Sequence, residues 1–133
     1  MRVTNDNITQ LNKNEIFVFG SNLKGIHGAG AAKLAMRWGA KIGQGEGLQG
    51  KTYALPTCEV PVRGSKLEIN ELKKYVDNFI EFAKKNKDLT FLVTRIGCGL
   101  AGLTVEEVAP LFEEAIDIDN IYLPQDFWEY LNS

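Results

Sequence analysis

One histidine, His27, and two cysteines, Cys58 and Cys98, are all the imidazole and thiol ligands that 133 residues supply. A structural zinc site takes four such ligands at short spacings, so no metal centre is expected, and no motif asks for an organic cofactor. A disulfide scaffold is excluded on the same count. A chain of this length encloses enough core to need no staple, and both thiols are expected to be free. Charge of one sign is also missing: 15 basic residues face 17 acidic ones, for a net −2. That balance excludes a duplex nucleic-acid binder relying on many phosphate contacts, though it leaves room for a local positive pocket. No apolar run approaches the roughly 18 residues that span a bilayer, and the opening Met1 to Asp6 has no signal-peptide core. A cytoplasmic protein with no membrane partner is expected.

What is present is ordinary for a globular protein: 44% hydrophobic and 24% charged residues. The length fits one domain, 1–133. Ile16-Phe17-Val18-Phe19 is a continuous apolar run closed by Gly20, as in a strand buried on both faces of a parallel sheet. From Ala29 to Trp38 helix formers place apolar residues three and four apart. Gly39 and Gly43 end that helix, and Gln44 to Gly50 is too rich in glycine for regular structure. Thr52 to Pro56 reads as a short strand. Ile69, Leu72, Val76, Phe79 and Ala83 form the stripe of an amphipathic helix that Ser65 and Glu68 are placed to cap. Leu89 to Thr94 is the strongest strand signal. Thr104 and Glu107 form a second capping box before a helix that Pro110 should shorten or kink. Ile121 to Pro124 reads as a last strand, and Asp126 to Leu131 as a terminal turn or helix. Further strands are expected near Arg2 to Thr4 and Ile42.

Strands alternating with helices predict an α/β domain, a three-layer αβα sandwich around a mostly parallel sheet. Ligands of such sheets bind beyond the carboxyl ends of the strands. Two glycine-rich loops should emerge there, Gly20 to Gly30 after the first long strand and Gly97 to Gly102 after Thr94. Glycines let backbone amides approach phosphate oxygens, so the pair predicts a phosphate or diphosphate site. Neither loop is a Walker A motif, and the spacing Gly25-x-x-Gly28-x-Gly30 is not the dinucleotide fingerprint.

The string Asn22 to Ala32, with Gly28-Ala29-Gly30-Ala31-Ala32, together with Ile96 to Gly102, resembles the macro domain family of ADP-ribose-binding modules. Ile16 to Asn22, Gly43 to Gly50 and Gly97 to Gly102 are more closely similar to a compact macro-like group found in bacteria and phages. The similarity covers roughly Glu15 to Leu131. It implies a macro-like fold and a small nucleotide derivative such as ADP-ribose as ligand, with hydrolysis at the distal ribose as a further expectation. By that resemblance Asn22 falls near the distal ribose, and Gly20 and Ser21 before it are counted among the ligand-binding residues. Gly28, Ala29, Gly30 and Ala31 wrap the ribose and diphosphate, and Gly97, Cys98, Gly99, Leu100, Ala101 and Gly102 form the second diphosphate loop. It also implies an acid that recognises the adenine amino group, for which Glu15 and Asn14 are the nearest polar residues.

Single residues carry paired readings. His27 is expected exposed in its loop, either as a general acid or base or as a plain surface histidine. Asn22 would orient water or a ribose hydroxyl, or else satisfy turn amides. Glu46 would activate water or remain a solvated charge. Cys98 is a nucleophile only if a base stands near it. Arg95 would clamp phosphate or pair with an acid. Phe127, with Trp128, would stack on a base or pack against the sheet. The functional alternatives are a catalytically silent reader of ADP-ribosyl groups and an accessory protein of phage type that binds no ligand.

Overall fold

A computed structural model describes residues 2–133. Six strands form one sheet in the order β1-β6-β5-β2-β4-β3. The strands are β1 (Val3–Thr4), β2 (Glu15–Asn22), β3 (Gly47–Gln49), β4 (Thr52–Cys58), β5 (Thr90–Val93) and β6 (Ile121–Pro124). Only the β3–β4 pairing is antiparallel; the other four are parallel. The helices are α1 (Gly30–Ala35), α2 (Ile69–Lys85), α3 (Val105–Val108) and α4 (Gln125–Leu131). Among the described residues no helix is long and apolar enough to cross a membrane.

Alternation along β2 explains the layering. Ile16 and Val18 turn to one face, where Tyr53, Leu55, Phe91 and Val93 join them beneath α2, α3 and α4. Phe17 and Phe19 turn to the other face, with Ala54 and Ala35 of α1. Successive strand residues point to opposite faces, so a run apolar at every position must be covered on both. Trp38 closes a 3-10 turn after α1 and sets its ring edge-on to Phe17, centroids 5.0 Å apart.

Pro110 has the expected consequence. The α-helix ends at Val108 and residues 109–117 continue as 3-10 turns, because proline has no amide to give to the carbonyl four residues back. The Thr104–Glu107 capping box is formed, each side chain bonded to the other residue's amide. The Ser65–Glu68 box is not: Ser65 Oγ donates to the carbonyls of Val60 and Val62 within its own turn, and α2 begins one residue after Glu68 with no side-chain cap. The strand expected near Ile42 is absent, and the glycine-rich stretch holds β3 instead. What overrides its composition is Gln49, 1% exposed, whose Oε1 accepts from the Lys41 amide at 2.6 Å and whose Nε2 donates to Gln44 O at 3.0 Å. A buried carboxamide satisfied on both sides fixes a segment that propensity alone would leave irregular.

Candidate functional site

The chain leaves β2 toward β4 on one side of the sheet and leaves β5 toward β6 on the other, which opens a crevice between β2 and β5 at their carboxyl ends. Both glycine-rich loops enter it. A Cβ placed on Gly20 would lie 3.8 Å from the Gly97 amide nitrogen, so the loops approach main chain to main chain. Between them is a cleft of about 820 Å³, walled by Gly20 to Asn22, Gly28 to Ala32, Thr57, Cys58, Thr94, Arg95 and Gly97 to Ala101, with Pro61, Arg63 and Ile26 at its margin.

Backbone hydrogen bonding in the two loops is uneven. Leu23, Gly25 and Ile26 give their amides to Cys58 O, Asn22 O and Asn22 Oδ1, and the next bond of this kind is Lys33 N to Ala29 O. From Gly28 to Ala32, no amide donates to any group among the described residues. In the second loop Cys98 donates to Arg95 O and Gly102 to Gly99 O, while Gly99, Leu100 and Ala101 donate to no group among the described residues. Unpaired amides at the end of a crevice are anion acceptors. The walls agree in sign: Arg63 and Arg95 line the cleft and no aspartate or glutamate does.

Several expected site residues are elsewhere. His27 is 6% exposed. Its ring stands edge-on to Phe19 with centroids 5.3 Å apart, and Nε2 lies 2.9 Å from Lys41 O. It does not line the cleft, because glycines on either side let the loop fold the imidazole inward. Glu46 points to α2, where it accepts from Asn78 Nδ2 at 3.2 Å, and is also remote. Phe127 is fully buried against Phe112, and Trp128 donates its indole N–H to Arg2 O at 2.7 Å; neither ring is free to stack on a ligand. Gly102 lies just past the cleft wall. Asn22 does line the cleft, but its carboxamide is engaged with Ile26, donating to the carbonyl at 2.8 Å and accepting from the amide at 3.1 Å. Its turn-forming reading holds. Glu15, at the amino end of β2, accepts from the Asn12 amide, about 23 Å from Asn22 at strand spacing, and so is far from the crevice.

A second cleft, about 620 Å³, abuts the first and shares Ala31, Thr94 and Arg95 with it. Phe17 and Leu34 also line it, and its remaining walls come from segments far apart in the chain, Thr4 to Ile8 beside Pro124, Gln125, Asp126 and Glu129. Arg95 Nη2 bonds Asp126 Oδ2 at 2.9 Å across the boundary, the acid-pairing reading of that arginine. Thr4 and Asp126 also line this cleft, but Thr4 Oγ1 and Asp126 Oδ1 are themselves buried beneath its surface without a partner, closed to a ligand in the cleft.

Cys98 lies on the cleft wall, but burial pushes its thiol pKa up, an effect that the nearby Arg95 only partly opposes. The thiol therefore holds its proton at neutral pH, and no imidazole is near to take it. Cys98→Ala is expected to leave ligand affinity within about threefold, as removing one contact atom of a wall does. Alkylation of Cys98 by iodoacetamide should be slower at pH 7 than that of free cysteine and rise with pH. Fast alkylation at neutral pH would show a thiolate and overturn this assignment.

No protein-family model, curated protein or solved structure matches this chain.

Proposed function

We propose that this domain is a macro-like binding module for ADP-ribose or a closely related phosphate-bearing nucleotide derivative, and that it acts as a reader of such groups. The observation that carries this reading is the row of unpaired amides from Gly28 to Ala32 facing the loop Gly99 to Ala101 across a cleft with cationic margins and no acid. Hydrogen bonds from backbone N–H to a charged oxygen are about twice as strong as neutral ones, and several converging on one diphosphate give both affinity and orientation. The ribose and diphosphate would occupy this cleft. The adjoining second cleft favours a bipartite ligand, since the acids on its wall, Asp6 and Glu129, suit an uncharged group carrying N–H donors, such as a base with an amino group.

Turnover has less support. A protein-assisted hydrolysis needs a carboxylate or imidazole within hydrogen-bond reach of the reacting centre. His27 and Glu46 are turned away, and the Asn22 carboxamide is held by Ile26. Calorimetry with ADP-ribose, paired with a release assay on an ADP-ribosylated protein, tests the reading. Saturable one-to-one heat without release is expected. Absence of heat would remove the ligand assignment, and release at enzymatic rates would remove the reader.

A further inference from the structure

We propose that His27 is a positioning residue: from its buried seat it fixes the aim of the Gly28 to Ala31 amides without touching the ligand. The affinity arm of this inference rests on the anion-binding reading above; its structural arm does not.

The case follows the fastenings outward from the sheet. Gln49 of β3 holds the Lys41 amide and the Gln44 carbonyl from its buried carboxamide. Lys41 in turn offers its carbonyl to His27 Nε2 at 2.9 Å, and Gly43 donates to Gly25 O at 2.9 Å. Segment 41–45 is thus a backing plate tied to the sheet, and the first loop is tied to the plate. The contact is intimate: a Cβ on Gly25 would come within 2.4 Å of the Gln44 nitrogen, and Gly25 has φ +69°. The fastenings end at His27. The row of amides without an acceptor among the described residues starts at His27 itself and runs on through Gly28 to Ala32.

The imidazole fills a site that hydrocarbon would fill as well, against Phe19. Its Nδ1 is buried with no partner, a cost that leucine or phenylalanine would avoid. What histidine adds is the single Nε2–H donated to the Lys41 carbonyl, which ties the end of a glycine-rich segment to the plate. Pre-orienting amides before a ligand arrives removes an ordering cost from binding.

The test compares His27→Leu, which keeps the bulk and removes the donor, with His27→Gln, whose side-chain amide can restore an N–H toward Lys41 O. In the free protein, amide resonances of Gly28, Gly30 and Ala31 should broaden in the leucine variant and sharpen again in the glutamine variant. ADP-ribose affinity should fall about tenfold in the first and recover to within about threefold in the second. Leucine-variant amides and affinity both matching the wild type would overturn the inference. If the wild type binds no ADP-ribose while the amides still loosen and recover as described, the positioning role stands and the ligand reading falls. Should His27→Leu not fold, the wild-type ring decides: its Nε2 proton is expected to exchange as slowly as core amides, and rapid exchange would overturn the role.

Discussion

Gly28→Glu is expected to weaken ADP-ribose binding by more than about 100-fold, some 2.7 kcal/mol, while moving the melting temperature by no more than a few degrees. The two halves of that expectation come from different observations. On the stability side, a Cβ on Gly28 would meet nothing within 4 Å, and Gly28 does not have the positive φ that strains other residues. On the binding side, Gly28 lies on the wall of the cleft that carries the unpaired amides, where the proposed anion would sit. A carboxylate there would block approach and repel a diphosphate, and like charges brought together at an interface cost several kcal/mol. Gly99 also has open space around its Cβ and no positive φ, and Gly99→Glu should behave in the same way. The free protein's fold does not explain either glycine, and the proposed anion site would. Calorimetry and thermal melts on the two variants check this, and unchanged affinity in both would mean that the ligand lies elsewhere.

Phe127→Ala is expected to do the opposite: lose about 3–5 kcal/mol of stability, roughly 10–20 °C in melting temperature, with the affinity of the folded protein unchanged. Phe127 is fully buried, its ring 5.8 Å from that of Phe112 and within the larger core cluster. Truncation there removes the transfer energy of a phenyl ring and leaves a cavity that α4, seven residues long, can close only in part. Against a domain stability of about 5–15 kcal/mol, that is a large fraction. A ring that stacked on a base would show the reverse pattern, with a mild melt and a large loss of affinity. Denaturant or thermal unfolding alongside calorimetry separates the two.

These contrasts show what could be read in advance. Ile16 to Phe19 and Leu89 to Thr94 announced buried parallel strands, because an apolar run without alternation has only one comfortable setting. The convergence of the two glycine-rich loops followed, since parallel strands deliver their carboxyl ends to one rim. Pro110 and the Thr104 box were legible for equally local reasons. The failures have a common physical cause, in that the deciding partner is distant in the chain. His27 is buried because a carbonyl 14 residues away receives its N–H. Residues 47–49 become a strand because Gln49 reaches back to Lys41 and Gln44. Phe127 faces inward because α4 packs beside the 3-10 turns of residues 109–117, which a seven-residue pattern cannot foretell. The second cleft was invisible for the same reason: it exists only because β1 pairs with β6, Val3 against Leu123 and Thr4 against Pro124, bringing the two ends of the chain together.

The brevity of β1 and β3 has a bearing on how the molecule behaves in company. β1 has two residues and β3 has three, and they form the opposite margins of the sheet. A foreign strand needs a longer row of free amides and carbonyls to hold on, and cross-β growth recruits segments of about six residues. The sheet is therefore a poor template for fibre formation, and crowded copies of the chain should stay dispersed without any helix or loop having to shield its sides.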